Sequence, residues 1–237
     1  MAGAIVNPYA IAPSGPTYEE EVLADTPLGL WMLDETSGTV ATDQGSVGED
    51  GDYGSTYSPV LGTRTVFGLT APDFQTSAVV TVPHNAAMNL DHVGASGTFT
   101  VEFLFRLDVT AGAQAFFHNG PVECWQFAAE LIGNVKTSGG ATVMDLSIVS
   151  FAAADTDYHF VMTYNRSTPR LEAWLNGVSI GVDTTASGSS SDDGTDTWFG
   201  AHTATAGLPM NGAICGVAFY SQVLSDARIA DHYATLT

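Results

Sequence analysis

The sequence predicts an all-β fold: a two-sheet antiparallel jelly-roll sandwich with one short C-terminal helix. Three observations carry this. Apolar residues alternate with period two over long stretches, as in FTVEFLFRL, where Phe99, Val101, Phe103, Phe105 and Leu107 point one way. Gly, Ser and Asp turns separate such stretches at short, regular intervals. Asn176-Gly177 sits between two of them, and Asn-Gly is the strongest short hairpin signal because both positions tolerate positive φ.

The composition agrees. Of 237 residues, 45% are hydrophobic and 14% charged, which excludes a disordered chain or a charged coiled coil. No apolar run approaches the roughly 20 residues of a membrane helix. Acids outnumber bases 26 to 6, Lys136 is the one lysine, and the net charge is −20. Such a chain has too few cations to hold phosphates, so nucleic acid and anionic membranes are excluded as partners.

Residues 1–21 read as an extended arm or linker, rich in Ala, Gly, Pro and Tyr, with one helical turn expected from Glu19 to Val22. Residues 22–237 read as one domain. Strands are expected at 28–33, 64–69, 78–82, 99–107, 114–119, 125–132, 142–150, 158–164, 171–175, 178–183, 196–200 and 213–220. On 99–107, Thr100, Glu102 and Arg106 form the opposite, polar face, interrupted by Leu104. The segment 187–196 is a polar loop. Ser225 can cap a closing helix, with Asp226 at its positive end and Ile229 and Tyr233 on one face. Cys124 and Cys215 make no disulfide framework; they read as buried strand thiols, with a single bridge left open. Residues 1–16 lack the basic start and apolar core of a standard secretory signal.

Four segments in order carry a family resemblance: 22–53, with Trp31, Leu33 and Glu35 before a Gly/Asp-rich loop; 77–107; 157–181 with its Asn-Gly hairpin; and 210–234. Together they resemble the laminin G-like jelly roll of the concanavalin A-like lectin/glucanase superfamily. That fold packs two large sheets face to face. It would place Trp31, Phe103, Phe105, Tyr164, Leu175 and Phe219 in the core.

The resemblance implies glycan binding or glycan hydrolysis, and the residues separate the two. Retaining hydrolysis needs two carboxyls about 5 Å apart, which positions i and i+2 of a strand provide. Glu102, Asp145 and Glu172 each stand alone in their strands, while Asp155/Asp157 and Asp50/Asp52 fall in turn-like sequence. There is no Gly-x-Ser-x-Gly, no HExxH and no His pair at metal spacing; His159 reads as a surface or half-buried strand residue. A non-enzymatic protein is expected, requiring no cofactor.

Calcium is the metal that fits acid-bearing loops, and Asp43, Asp50 and Asp52 are its candidates. Many relatives place an acid pair in the closing strand, where this chain reads Ile214-Cys215-Gly216-Val217. For a sugar, which needs an aromatic platform ringed by donors and acceptors, the candidates are His118, Asn119, Trp125, Asp193, Trp198 and His202, with Asp192, Asp196 and Asn211 nearby.

A jelly roll after a short arm, without a secretory signal, also resembles the minor tail or decoration subunits of phages infecting high-GC bacteria. That implies a virion location on tail or capsid surface, attachment to other virion proteins through the arm, a homo-oligomeric arrangement there, and host cell-wall glycan as the outward partner. A capsid decoration protein and a carbohydrate-binding module of an exported protein are the alternatives.

Overall fold

The structure, a computed structural model, describes residues 15–54, 56–75, 77–88, 97–128, 130–136, 142–148, 153–185 and 194–237. Helix α1 (Tyr18–Ala24) comes first, then β1 (Gly29–Trp31), β2 (Val40–Ala41), β3 (Gly51–Asp52), β4 (Val60–Val66), β5 (Leu69–Asp73) and β6 (Val80–Val82). The long strands follow: β7 (Thr98–Leu107), β8 (Ala113–Asn119), β9 (Val122–Phe127), β10 (Glu130–Lys136), β11 (Thr142–Ile148) and β12 (Asp157–Asn165). Then come β13 (Arg170–Leu175), β14 (Val178–Asp183), β15 (Thr197–Phe199), β16 (Gly212–Tyr220) and α2 (Asp226–Ala234). Neither helix is long and apolar enough to cross a membrane.

The strands make two antiparallel sheets. One runs β14-β13-β12-β7-β16-β5-β4, with β1 also on β16; the other runs β11-β10-β9-β8-β15-β6-β3-β2. Aromatic side chains bridge them. Trp31 lies 5.2 Å from Phe199 and 5.4 Å from Phe219, and Phe103 stacks on Phe116 at 5.6 Å. Such pairs add about 0.5–1.5 kcal/mol each beyond their area burial. Trp31, Phe103, Phe105, Tyr164 and Phe219 are buried as the alternation predicts, while Leu175 packs at the core's margin.

Two predicted strands contain turns. Segment 64–69 folds back at Phe67 (φ 50°) and Gly68 (φ 81°), joining β4 to β5. Segment 125–132 folds back at Ala128 (φ 49°), between β9 and β10. Neither turn carries Asn-Gly chemistry, so the apolar run hides it. At Phe67 tertiary contacts supply what the sequence lacks: its N–H donates to Asp157 Oδ2 at 2.9 Å and its ring meets Tyr233. The Asn176-Gly177 turn forms as predicted, both residues at positive φ (52° and 73°).

The largest departure is behind β7. At Thr100 and Glu102 its polar face does not meet water, because α1, α2 and the segment leading into α2 lie against it. Thr17 caps α1 in a reciprocal capping box with Glu20, and Ser225 caps α2. Residues 18–21, assigned to the arm on sequence, thus belong to the folded body, and Tyr18 is buried. Residues 1–14 of the arm lie outside the described residues.

Glu102 sits fully buried under these helices. It accepts hydrogen bonds from Tyr18 Oη and Tyr220 Oη, both at 3.0 Å. His159 Nε2 lies 2.8 Å from it and His232 Nδ1 3.0 Å. Burial pushes the Glu102 carboxyl up, but the hydrogen bonds and charges of both histidines outweigh it and hold it well below the usual carboxylate range. Burial pulls the His232 imidazole down; the Glu102 hydrogen bond and charge, with Asp25, leave it raised. His159 is therefore an interior residue, not a surface one.

Candidate functional site

With the helices on one sheet, the outer face of the other carries the clustered chemistry. Antiparallel register aligns Asp145, Asn134, Glu123, His118, Trp198, Thr81 and Asp52 across seven neighbouring strands. Their chain neighbours Phe117, Cys124, Phe199, Val80 and Val82 are core residues. Strand alternation therefore turns the polar row away from the core.

Glu123 is the centre of this row. The β8–β9 hairpin turns on Gly120-Pro121, pairs Asn119 with Val122, and so sets Glu123 opposite His118. His202, just beyond β15, comes over the top. His202 Nε2 lies 3.0 Å and His118 Nε2 3.5 Å from Glu123 Oε1, and Lys136 Nζ lies 2.5 Å from Oε2. Burial pushes the Glu123 carboxyl up, but hydrogen bonds from His118, His202 and Lys136, with the lysine charge, hold it well below the usual range. His118 packs on Trp198 at 5.0 Å between ring centroids and edge-on against His202 at 4.6 Å. Trp198 itself rests on a small cluster of Val79, Ala201 and Ala206. His118 Nδ1 and Trp198 Nε1 are both buried without a hydrogen-bond partner.

Three sugar candidates, His118, Trp198 and His202, are thus brought together. Trp125 lies on the same face two residues from Glu123, half-buried. With the Asn134 amide turned so that both its ends are satisfied, Trp125 Nε1 donates to its oxygen at 3.2 Å and its nitrogen donates to Asp145 Oδ1 at 2.7 Å. Asn119 does not join them. Alternation turns it to the opposite face from His118, where it donates to Thr197 Oγ1 at 2.5 Å. Asp193 and Asp192 lie outside the described residues. Asp196 accepts the His84 N–H, and the Asn211 N–H donates to Gln114.

The calcium candidates are dispersed in role. Asp43 accepts the Leu30 and Gly45 N–H groups on Oδ1 and that of Glu49 on Oδ2, so its carboxylate organises the loop. Asp50 accepts the Asp43 N–H, and Asp52 that of Gly54. Among the described residues, the three-residue group able to hold a metal ion is instead His118, Glu123 and His202, whose ligand atoms all lie within 4.8 Å of one another. Glu123 was not singled out from sequence. A two-residue turn at Gly120-Pro121 makes His118 and Glu123 cross-strand partners, whereas Asn119-Gly120 taken as the turn would set His118 against Pro121. The carboxylates at Asp155 and Asp157 both reach Arg106, at 3.6 and 3.1 Å. Cys124 and Cys215 are free, buried, and on opposite sheets; burial pushes both thiols up.

A family model described as the Concanavalin A-like lectin/glucanases superfamily matches residues 74–230, about two thirds of the chain. No curated protein matches. Among solved structures, the chain is similar to the binding domain of Paraclostridial Mosquitocidal Protein 1 (TM-score 0.67, 12% identity, covering 89% of this chain and 52% of that one). It is similar to the binding domain of Botulinum neurotoxin DC in complex with SialylT (TM-score 0.65, 13% identity, 90% and 52%). The same domain with rat synaptotagmin II gives a TM-score of 0.65 at 14% identity, covering 90% and 52%. The chain spans about half the length of these neighbours, and at such identities the likeness is one of fold.

Proposed function

The chain belongs to the concanavalin A-like lectin/glucanases superfamily, and from that membership we propose that it is a non-enzymatic bacteriophage virion protein, a minor tail protein whose sandwich adheres to host cell-wall glycan. The observation that carries the glycan reading is the row on the helix-free face. Trp198 and Trp125 offer apolar surface for a sugar's C–H face, and Asn134, Asp145, His118 and His202 surround them with donors and acceptors. The fold neighbours include binding domains solved with SialylT and with rat synaptotagmin II, which supports a surface-adhesion role.

A hydrolytic role is less well supported by the same face. Its central carboxylate, Glu123, is committed to Lys136 and two histidines. Asp155 and Asp157 share Arg106 rather than flanking a cleft as an acid and a nucleophile. The virion role rests on residues 1–14 acting as the attachment arm, with α1 as the point where that arm joins the body. Copies would be arranged by the symmetry of the tail.

A glycan array probed with the full chain tests the adhesion reading. Selective binding that is weakened in Trp198→Ala and Trp125→Ala is expected; aromatic contacts are worth about 0.5–1.5 kcal/mol beyond the area they bury, or roughly 2- to 13-fold in affinity. Binding to no glycan, or binding indifferent to both variants, would sink it. Gold-labelled antibody on intact phage particles tests the location. Label at the tail is expected, label on the capsid favours a decoration protein, and no label on any particle returns the chain to a free carbohydrate-binding module.

A further inference from the structure

The glycan reading leaves one group of side chains unexplained. Two imidazoles converge there on one buried carboxylate, an arrangement a sugar site does not require. His118 and Glu123 side chains are 9% and 6% exposed, and His202 is 33% exposed. The group is therefore closed beneath and accessible along its His202 edge.

We propose that His118 Nε2, His202 Nε2 and a Glu123 carboxylate oxygen are the ligands of a single divalent cation of the zinc class. The donor set selects that class. Two imidazoles and a carboxylate suit Zn2+ or a similar borderline ion, whereas Ca2+ and Mg2+ take oxygens alone. The spacing agrees. Ligands about 2.0–2.1 Å from a tetrahedral ion stand roughly 3.3–3.4 Å apart. The two Nε2–Oε1 separations, 3.0 and 3.5 Å, bracket that value, and no pair exceeds 4.8 Å. Three protein ligands with one accessible edge leave a coordination position for water or a ligand oxygen.

Two further features bear on the site. His118 Nδ1 is buried without a partner, so its position in the ring plane is fixed by packing on Trp198 and His202, not by a second hydrogen bond. Lys136 already holds Oε2 of Glu123. Its ammonium neutralises the carboxylate when no ion is bound and repels an ion when one is. The ion would share His118 and His202 with the glycan reading of this face, but it needs no glycan and its ligands do not include the tryptophans.

The test is calorimetric titration of the chelator-stripped full chain with zinc chloride at neutral pH, in the absence of any glycan. One ion per chain is expected. His118→Ala and His202→Ala should each weaken binding by more than the roughly 10- to 100-fold of an outer-shell substitution. His202 is partly exposed, so its variant keeps the fold even if that of His118 does not. Lys136→Met should tighten binding, an effect a purely structural cluster does not produce. Cobalt substitution should give the strong visible absorption of a tetrahedral site, reduced in His202→Ala. Absence of stoichiometric binding, binding undiminished in His202→Ala, or affinity unmoved by Lys136→Met would overturn the assignment, the latter two by placing the ion on acids elsewhere.

Discussion

Glu102 shows how far one residue's role can lie from its local pattern. In sequence it is the polar member of an alternating strand. In the fold, Tyr18, Tyr220, His159 and His232 converge on it from α1, β16, β12 and α2. A buried charge is tolerated only when it is paired and hydrogen-bonded. Glu102→Gln should therefore cost about 3–5 kcal/mol, seen as a Tm fall of roughly 6–20 °C for a domain of this size. Tyr18→Phe, which removes one donor to the carboxylate, should cost about 1.5–3 kcal/mol. A Glu102→Gln variant as stable as the parent would show that the carboxylate is not the keystone of this network. Glu123 makes the same point on the other sheet, where the Gly120-Pro121 turn sets it opposite His118.

At the scale of elements, local chemistry is a good guide where the chain caps or turns itself. Thr17 and Glu20 spell a capping box, Ser225 a cap, and Asn176-Gly177 a hairpin, and all three form. It misleads where a turn is held by distant groups, as at Phe67 and Ala128. Gly200 links element to site. It ends β15 at φ 77°, and a Cβ there would lie 2.2 Å from the Phe74 ring. Its N–H and C=O tie the segment to Phe116 and Met210, two residues before His202. Gly200→Ala should cost about 2–4 kcal/mol from strain and overpacking together. The expected readout is a lower urea midpoint accompanied by displaced His202 resonances. An unchanged midpoint would mean that the loop is not fixed at Gly200.

For the whole molecule, charge sets the response to pH. The depressed carboxyls of Glu102 and Glu123 contribute stability above their unfolded pKa of about 4.3, and it is lost as pH falls through and below that value. The raised imidazole of His232 works in the opposite direction. Its contribution is complete below about pH 6.5 and is lost as pH rises through its folded value. Stability should therefore peak between about pH 4.5 and 6.5 and fall on both sides, more steeply in acid, where two buried networks fail together. Acid also relieves the repulsion of a −20 surface, but those charges are spread and screened whereas the networks are buried. Melting curves from pH 3 to 9 check this, and Glu102→Gln should flatten the acid limb. A stability that rises monotonically toward acid would show that surface repulsion dominates.

The sequence by itself determined the fold class, most strands, the Ser225 cap, the aromatic core and a surface poor in bases. These are legible because period, turn chemistry and composition act over a few residues. Only the tertiary structure decided which face of each sheet is covered, that a strand's polar side is interior, and that His118, Glu123 and His202 meet. The reason is physical. Alternation reports that a strand has two faces but not what lies against either. That depends on helices and loops up to 130 residues away, as His232 is from Glu102.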